Sequence, residues 1–207
     1  MAGSVHLTDG ASDSAIADWI ETRLRAALAA AAGEIAITVP GGSTPFPILA
    51  RLAALPLDWP RIAVWPGDDR LVPEDHPASN AGRIRALLGP VGARMVPLSA
   101  SAQPPHFALA WLGMGDDGHI ASLFPGTDPR ADDALMVRRL TPDPLPPEAP
   151  FERISLTIPA LLASDELVFV IRGAAKRALF KAAAAKENDL PVARLLSAAR
   201  QPVTCFT

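Results

Sequence analysis

The expected fold of this chain is decided by the stretch Trp111-Leu-Gly-Met-Gly-Asp-Asp-Gly-His-Ile-Ala-Ser-Leu-Phe-Pro-Gly126. An apolar run over 107–112 stops at Gly113, and glycines then alternate with two carboxylates and a histidine. Glycine lets a backbone turn sharply and approach a ligand closely, and a buried strand holds the loop that follows it. Histidine is the residue type whose ordinary pKa lies near neutrality. The stretch therefore predicts a buried strand that ends in a reactive loop centred on His119.

Predicted strands and helices alternate on both sides of this stretch. Apolar residues at helical spacing predict a helix over 12–32, and β-branched runs predict strands at 35–39 and 61–65. The other predicted elements are strands at 5–7, 95–98, 134–139, 154–158, 167–171 and 203–206, and helices at 45–54, 80–88, 159–163 and 173–186. Such alternation predicts an α/β fold in which helices cover both faces of a mainly parallel sheet.

Length and composition limit the possible classes of protein. The 207 residues suit one domain over 1–207, and the proline-rich segment 141–150 reads as a stiff connector within it. A net charge of −3 gives no basic field for nucleic acid or an anionic membrane, and no run is long and apolar enough to span one. The single cysteine, Cys205, excludes an intrachain disulfide and predicts a small buried residue in a cytoplasmic protein. The oligomeric state stays open between a monomer and a small homo-oligomer.

Glycine-rich or polar segments follow several predicted strands at the point where each strand ends. In an open α/β sheet, ligands bind beyond the carboxyl ends of the strands. Gly41-Gly42-Ser43-Thr44 leads into a helix with Thr44 as N-cap and Pro45 at the first position, which suits either anion binding or an ordinary capped turn. Lys176, near the start of another helix, fits a bound anion or a solvated side chain.

Asp68-Asp69-Arg70 sets two carboxylates beside a guanidinium at a predicted strand end. Arg70 could orient an acid, bind a substrate oxygen or pair with a loop carboxylate. The sequence leaves these alternatives open.

Two other interpretations of the 113–119 loop are rejected. Its G-x-G-x-x-G pattern resembles a dinucleotide site, but Pro125 leaves little room for the helix that would carry the pyrophosphate. A metal site would need a distant histidine or cysteine set with ligand spacing, which Asp116, Asp117 and His119 do not have.

These segments together resemble the 6-phosphogluconolactonase family, within the larger group that includes glucosamine-6-phosphate deaminases. The matching segments, in the family's order, are 41–45, 67–72 with Ser79-Asn80, 112–126, 153–161 and 173–176. The resemblance implies a Rossmann-like three-layer α/β/α fold, no metal or organic cofactor, and hydrolysis of a small phosphorylated sugar lactone, 6-phosphoglucono-1,5-lactone, in the oxidative pentose phosphate pathway. His119 matches the family's catalytic histidine, and the Gly-Ser-Thr loop and Lys176 match groups that hold the sugar phosphate.

The deaminase branch is the alternative, together with a non-catalytic sugar-phosphate binder. Deaminases usually carry Asp-Glu-Tyr where this chain has Asp68-Asp69-Arg70, and a glutamate segment where it has Ile-Ala-Ser-Leu-Phe-Pro. Ring opening with amine release needs more acid–base groups than ester hydrolysis, so the lactonase interpretation is favoured. It remains open whether Arg83 or Arg85 contacts the phosphate.

The expected mechanism gives each site residue a role. Neutral His119 is the general base for water, Asp117 orients the imidazole or a sugar hydroxyl, and Arg70 stabilises developing charge. Asp68 is expected to position Arg70. Lys176 and the amides of the Gly42–Thr44 turn are expected to hold the 6-phosphate.

Overall fold

The computed structural model describes residues 3–143, 145 and 150–207. Within them the strands are β1 (Val5–Thr8), β2 (Ile35–Val39), β3 (Ile62–Pro66), β4 (Asp68–Arg70), β5 (Arg94–Met95), β6 (Leu109–Leu112), β7 (Val137–Leu140), β8 (Arg153–Leu156), β9 (Leu167–Val170) and β10 (Val203–Phe206). The helices are α1 (Asp13–Ala30), α2 (Pro45–Ala53), α3 (Asn80–Leu88), α4 (Ile158–Leu162), α5 (Ala174–Ala184) and α6 (Pro191–Ala198).

Seven strands form one parallel sheet in the order β1-β10-β9-β6-β2-β3-β5. From β2 the chain moves outward to β3 and β5, and it then returns to the other side of β2 to form β6 and β9. The strand order therefore reverses between β2 and β6. In open α/β sheets such a reversal opens a crevice at the carboxyl ends of the two strands.

Helices cover both faces of this sheet, as the alternating sequence predicts. In β6, Leu109 and Trp111 point into the core cluster shared with α1, α2 and α3. Ala110 and Leu112 point into the opposite cluster, shared with α4, α5 and α6. Successive strand residues face opposite sides, and burying each large apolar side chain contributes about 1.5–3 kcal/mol. Two apolar cores thus fix the sheet and the loops at its edge.

A second sheet was not predicted. It is antiparallel, with the order β4-β8-β7. Val137, Ile154 and Leu156 on one of its faces join the α4–α6 core, while its strand β4 is the polar segment 68–70 that the sequence analysis treats as a loop. The three polar residues of β4 give no local indication of a strand. They form one only by pairing with β8, about eighty positions later in the chain.

Most predicted elements are confirmed, with two further corrections. The helix α6 had no counterpart among the predictions, and the strand predicted at 95–98 is only the two-residue β5. The connector predicted at 141–150 lies partly outside the described residues.

Cys205 is buried in β10, as predicted, and burial raises the pKa of its thiol to about 12. None of the helices in the described part of the chain is both long and apolar enough to cross a membrane.

Candidate active site

Four segments meet at the carboxyl edge of the parallel sheet. They follow β2, β3, β6 and β9, and they enclose a cavity of about 400 Å³. The cavity wall includes most of the residues singled out from the sequence: Gly41, Gly42, Ser43, Thr44, Asp68, Arg70, His119 and Lys176. The parallel strand ends bring these distant segments together at the switch point.

His119 is held by Asp117. Its Nδ1 lies 2.6 Å from Asp117 Oδ1, and its backbone amide donates to the same oxygen at 3.1 Å. Burial raises the pKa of Asp117, but the hydrogen bonds from His119 and the attraction of its ring outweigh this and hold that pKa below its ordinary value. An ionised carboxylate can only accept, so Nδ1 carries the proton. Nε2 is then the ring nitrogen that faces a water molecule in the proposed chemistry, since Nδ1 is engaged with Asp117.

Two neighbours fix the plane of the imidazole. The Phe124 ring lies beside it, with centroids 4.5 Å apart. A Cβ on Gly115 would lie 2.1 Å from His119 Nδ1, so only glycine leaves room for the ring. No helix follows this loop directly; a single 3₁₀ turn occupies Pro125–Thr127, which agrees with the rejection of a dinucleotide site.

Asn80, which lies in a segment that resembles the family but has no predicted role, holds Arg70. Its Oδ1 accepts from Arg70 Nη1 at 2.5 Å, and the Ala78 carbonyl accepts from the same nitrogen at 3.3 Å. Asn80 also packs so closely on Gly41 that a Cβ there would lie 2.2 Å from its Oδ1. One amide side chain thus ties the loop after β2 to the cation on β4.

Asp68 is linked to Arg70 through Asn80. In the described part of the chain no hydrogen bond or ion pair joins the Asp68 and Arg70 side chains directly, but Asn80 donates from Nδ2 to the Asp68 carbonyl at 2.9 Å and accepts from Arg70 at Oδ1. Asp68 Oδ2 accepts from Ser122 Oγ at 2.6 Å. The Asp68 carboxyl is buried, and this desolvation raises its pKa despite the Ser122 hydrogen bond and the nearby Arg70 and Arg153. Asp68 therefore anchors the turn after His119 to the small sheet.

Asp68→Asn is expected to raise the melting temperature of the protein at pH 7 to 8. Because the pKa of Asp68 is raised in the folded protein, its contribution to folding stability is complete below the ordinary aspartate pKa and is lost as the pH rises through the raised pKa. An asparagine side chain stays neutral at every pH, so it keeps the Ser122 contact without this loss of stability. Thermal unfolding across pH 4 to 8 should therefore show a difference that shrinks as pH falls. Asp132→Asn, at an exposed carboxylate with a lowered pKa, is the control. Equal melting temperatures of the wild type and Asp68→Asn at pH 8 would contradict this expectation.

The Asp69 carboxylate binds the N-terminus of helix α3 and is not directed at a ligand. Its carboxylate accepts from the backbone amides of Asn80 at 2.6 Å and Ala81 at 3.0 Å, at the first turn of the helix. The N-cap Ser79 donates to it as well, at 3.2 Å. Negative charge at this end of a helix is favourable.

The Gly41–Thr44 loop lines the cavity, and Thr44 is the N-cap residue of α2 with Pro45 at the first position, as predicted, although the Thr44 side chain makes no capping hydrogen bond. Pro45 and Pro47 have no amide hydrogen, so Phe46 alone of the first three residues of α2 has one, and the other donors near the helix start are the amides of the loop itself. Gly42 has φ +82, a conformation that favours glycine. The anion site expected here consequently depends more on the turn than on the helix terminus.

Lys176 lies on α5 at the far side of the same cavity. Its Nζ is 3.9 Å from Asp116 Oδ1, and the Asp116 side chain is 86% exposed. Such an exposed pair is weak, so Lys176 remains available to an anion. Arg172, another cavity residue, donates instead to Asp13 at 2.9 Å.

Arg83 and Arg85 are both directed elsewhere. The Arg83 guanidinium stacks on the Phe46 ring at 3.8 Å, and Arg85 pairs with Glu74. Neither lines a cavity that contains His119.

A second cavity, of about 640 Å³, adjoins the first at His119, Asp68 and Arg70. Its wall includes Phe124 and Arg153. Arg153 is only 3% exposed, and the sequence analysis assigned it no role.

Fold and site together define an α/β/α protein with a parallel sheet and a histidine–aspartate pair beside a cavity at its switch point. A profile described as glucosamine-6-phosphate isomerases/6-phosphogluconolactonase matches residues 9–204. The chain belongs to this family.

Individual relatives agree with the family profile. A 6-phosphogluconolactonase of Pseudomonas putida is 38% identical over 197 residues, covering 84% of this chain and 79% of that protein. One of Pseudomonas aeruginosa is 37% identical, covering 91% and 87%. The crystal structure of a 6-phosphogluconolactonase from Shewanella baltica superposes with a TM-score of 0.83 at 25% identity, covering 100% of this chain and 98% of that one. That of a Thermotoga maritima 6-phosphogluconolactonase gives 0.82 at 24%, covering 98% and 99%.

Proposed function

We propose that this protein hydrolyses 6-phospho-D-glucono-1,5-lactone to 6-phospho-D-gluconate, the lactonase step of the oxidative pentose phosphate pathway. The observation that carries the proposal is the Asp117–His119 pair, which leaves one imidazole nitrogen free at the junction of two cavities. Family membership and relatives that are 6-phosphogluconolactonases at 37–38% identity support the same activity.

The reaction needs one group that first accepts a proton from water and later donates it to the ring oxygen that leaves. Nε2 of His119 removes a proton from water as the water oxygen bonds to the lactone carbonyl carbon. The carbonyl oxygen becomes an oxyanion, and Arg70 stabilises it. When the bond from that carbon to the ring oxygen breaks, the imidazolium returns its proton to the ring oxygen, which becomes the 5-hydroxyl. The carboxylic acid then ionises to 6-phosphogluconate.

Asp117 orients the base and stabilises its charged form. Its short hydrogen bond to Nδ1 fixes the tautomer, and its negative charge lies next to the imidazolium that forms in the reaction. Proximity contributes to the rate as well, because a lactone held at its phosphate end and at its carbonyl end presents the carbonyl carbon to a positioned water molecule.

Lys176 and the Gly41–Thr44 turn are proposed to hold the phosphate. Both line the cavity on the side away from Phe124, and the pair between Lys176 and Asp116 is too exposed to hold the lysine there. The substrate is then held with its phosphate toward Lys176 and its carbonyl carbon toward His119. Hydrolysis of a free metabolite and a single buried thiol fit a location in the cytoplasm. Two apolar cores packed on opposite faces of one sheet fit a single domain over 1–207.

One assay tests the activity directly. The lactone is generated in situ by glucose-6-phosphate dehydrogenase, and its loss is followed above spontaneous hydrolysis. Rapid loss with the purified protein is expected. Ammonia release from glucosamine 6-phosphate is measured in parallel, and turnover there without lactone hydrolysis would favour the deaminase. Inactivity in both assays would favour the remaining alternative, a non-catalytic sugar-phosphate binder.

Lys176→Ala is expected to raise KM by roughly 10- to 100-fold with little change in kcat, the effect of losing a charged hydrogen bond. Initial rates over a range of lactone concentrations measure it. Lys181→Ala, on the exposed side of the same helix, is the matched control and should behave as wild type. An unchanged KM in Lys176→Ala would remove this residue from the phosphate site.

A further inference from the structure

Asp116 lines both of the adjoining cavities and directly precedes Asp117 in the chain. Two hydrogen bonds fix the backbone of its loop: the Gly115 amide donates to the His119 carbonyl at 2.9 Å, and the Gly118 amide donates to the Gly115 carbonyl at 3.1 Å. The Asp116 side chain itself is 86% exposed. A fixed loop therefore keeps an exposed carboxylate beside the two cavities.

The partner of this carboxylate is Lys176. Asp116 Oδ1 lies 3.9 Å from the lysine Nζ, and in the described part of the chain neither group makes another ion pair. Arg172, which lines the same cavity, donates to Asp13 on α1 instead. Lys176 is thus a cation of the cavity wall whose partner is an exposed side chain that can turn away.

The carboxylate of this pair competes with a bound anion for the lysine. One ammonium group cannot hold the Asp116 carboxylate and a phosphate dianion at close range without repulsion between the two anions, since like charges about 4 Å apart repel even in water. An exposed ion pair is weak, so a phosphate can displace the carboxylate. Because the loop keeps the displaced carboxylate nearby, the exchange is reversible.

We propose that Asp116 is an internal competitor of the ligand phosphate for Lys176. Its carboxylate pairs with the lysine when the cavity holds no anion, gives way to the phosphate of a ligand, and returns to the lysine as the product leaves. This inference rests on the proposed function, in which Lys176 binds the 6-phosphate. It makes Asp116 a residue that lowers the affinity for phosphorylated ligands and favours the release of 6-phosphogluconate.

Calorimetric titration with 6-phosphogluconate tests the inference. Asp116→Asn removes the competing charge from an exposed position and should tighten binding roughly two- to fivefold, the effect of losing an exposed ion pair. General damage to the fold does not produce such a gain of affinity. The gain should shrink as the salt concentration rises from about 0.01 M to about 0.15 M, because dissolved ions screen exposed charges.

A double-mutant cycle separates competition for Lys176 from simple repulsion of the ligand. In a Lys176→Met background there is no lysine to compete for, so Asp116→Asn should tighten binding by a clearly smaller factor. Asp132→Asn is the matched control, because it removes the same charge from an exposed pair with Arg130 that lines neither cavity; its affinity should equal that of wild type. No gain of affinity in Asp116→Asn, or an equal gain with and without Lys176, would overturn the inference.

The two proposals can fail separately. Binding is measured without turnover, so tighter binding by Asp116→Asn, in a protein whose wild type hydrolyses no lactone, contradicts only the proposed function. Lactone hydrolysis by wild type, with an unaltered affinity for 6-phosphogluconate in Asp116→Asn, contradicts only the role of Asp116.

Discussion

His119→Ala is expected to lower the rate of lactone hydrolysis by roughly 10²- to 10⁴-fold, the usual contribution of a general base. The variant keeps the cavities and the phosphate-binding residues, so KM should change little. Its fold should be unaffected, because the imidazole hydrogen-bonds only to the half-exposed Asp117 among the described residues. Single-turnover or steady-state loss of lactone measures the effect, and circular dichroism checks the fold.

His106→Ala is the matched control for this variant. His106 also pairs with an aspartate, since its Nε2 lies 2.7 Å from Asp165, but it lines neither of the two adjoining cavities. Wild-type turnover in His106→Ala together with the loss in His119→Ala would assign the effect to the site. Turnover near wild type in His119→Ala would exclude this residue as the base.

Gly115→Ala is expected to cost about as much activity as removal of the imidazole, on the order of 10²-fold or more. The new Cβ would lie 2.1 Å from His119 Nδ1 and 2.7 Å from Asp117 Oδ1, so the ring and the carboxylate could not keep their hydrogen bond. A ring displaced by even about 1 Å loses its alignment with the attacking water. The loss should fall on kcat rather than KM, because Lys176 and the Gly41–Thr44 turn are untouched.

Gly33→Ala controls for the general effect of replacing a loop glycine. A Cβ on Gly33 meets no atom within 4 Å, so activity and stability should stay near wild type. A crystal structure of Gly115→Ala would reveal the shifted imidazole. Full activity with an unmoved ring would refute the steric explanation.

Much of the parallel sheet could be predicted because its signals are local. The β-branched residues of β2 and the helical spacing from Ile16 to Leu28 each specify an element within a short window. The helix α6 had a local signal too, in Pro191 at its start and in the spacing of Val192, Leu195 and Leu196. The signal is weak because the helix is short and follows a polar loop.

The residues that support the site could not be predicted in the same way. Asn80 reaches Arg70 only because α3 begins beside β4, and Arg153 faces Arg70 only through a strand pairing between distant segments. Ala121 lines both cavities with φ 49, a backbone conformation that tertiary packing imposes on a non-glycine residue. Local sequence singles out His119, while non-local pairing supplies its surroundings.

The position of β1 has a consequence for synthesis of the chain. Among the described strands, β1 at residues 5–8 pairs only with β10 at residues 203–206. Since β10 is synthesised almost two hundred residues later, β1 must wait for it before it can join the sheet. Until then β9 keeps an exposed hydrogen-bonding edge, a surface on which partly folded chains can associate. The parallel sheet is thus completed only after β10 has been synthesised, and slow synthesis of the segment between β9 and β10 should prolong the period of risk.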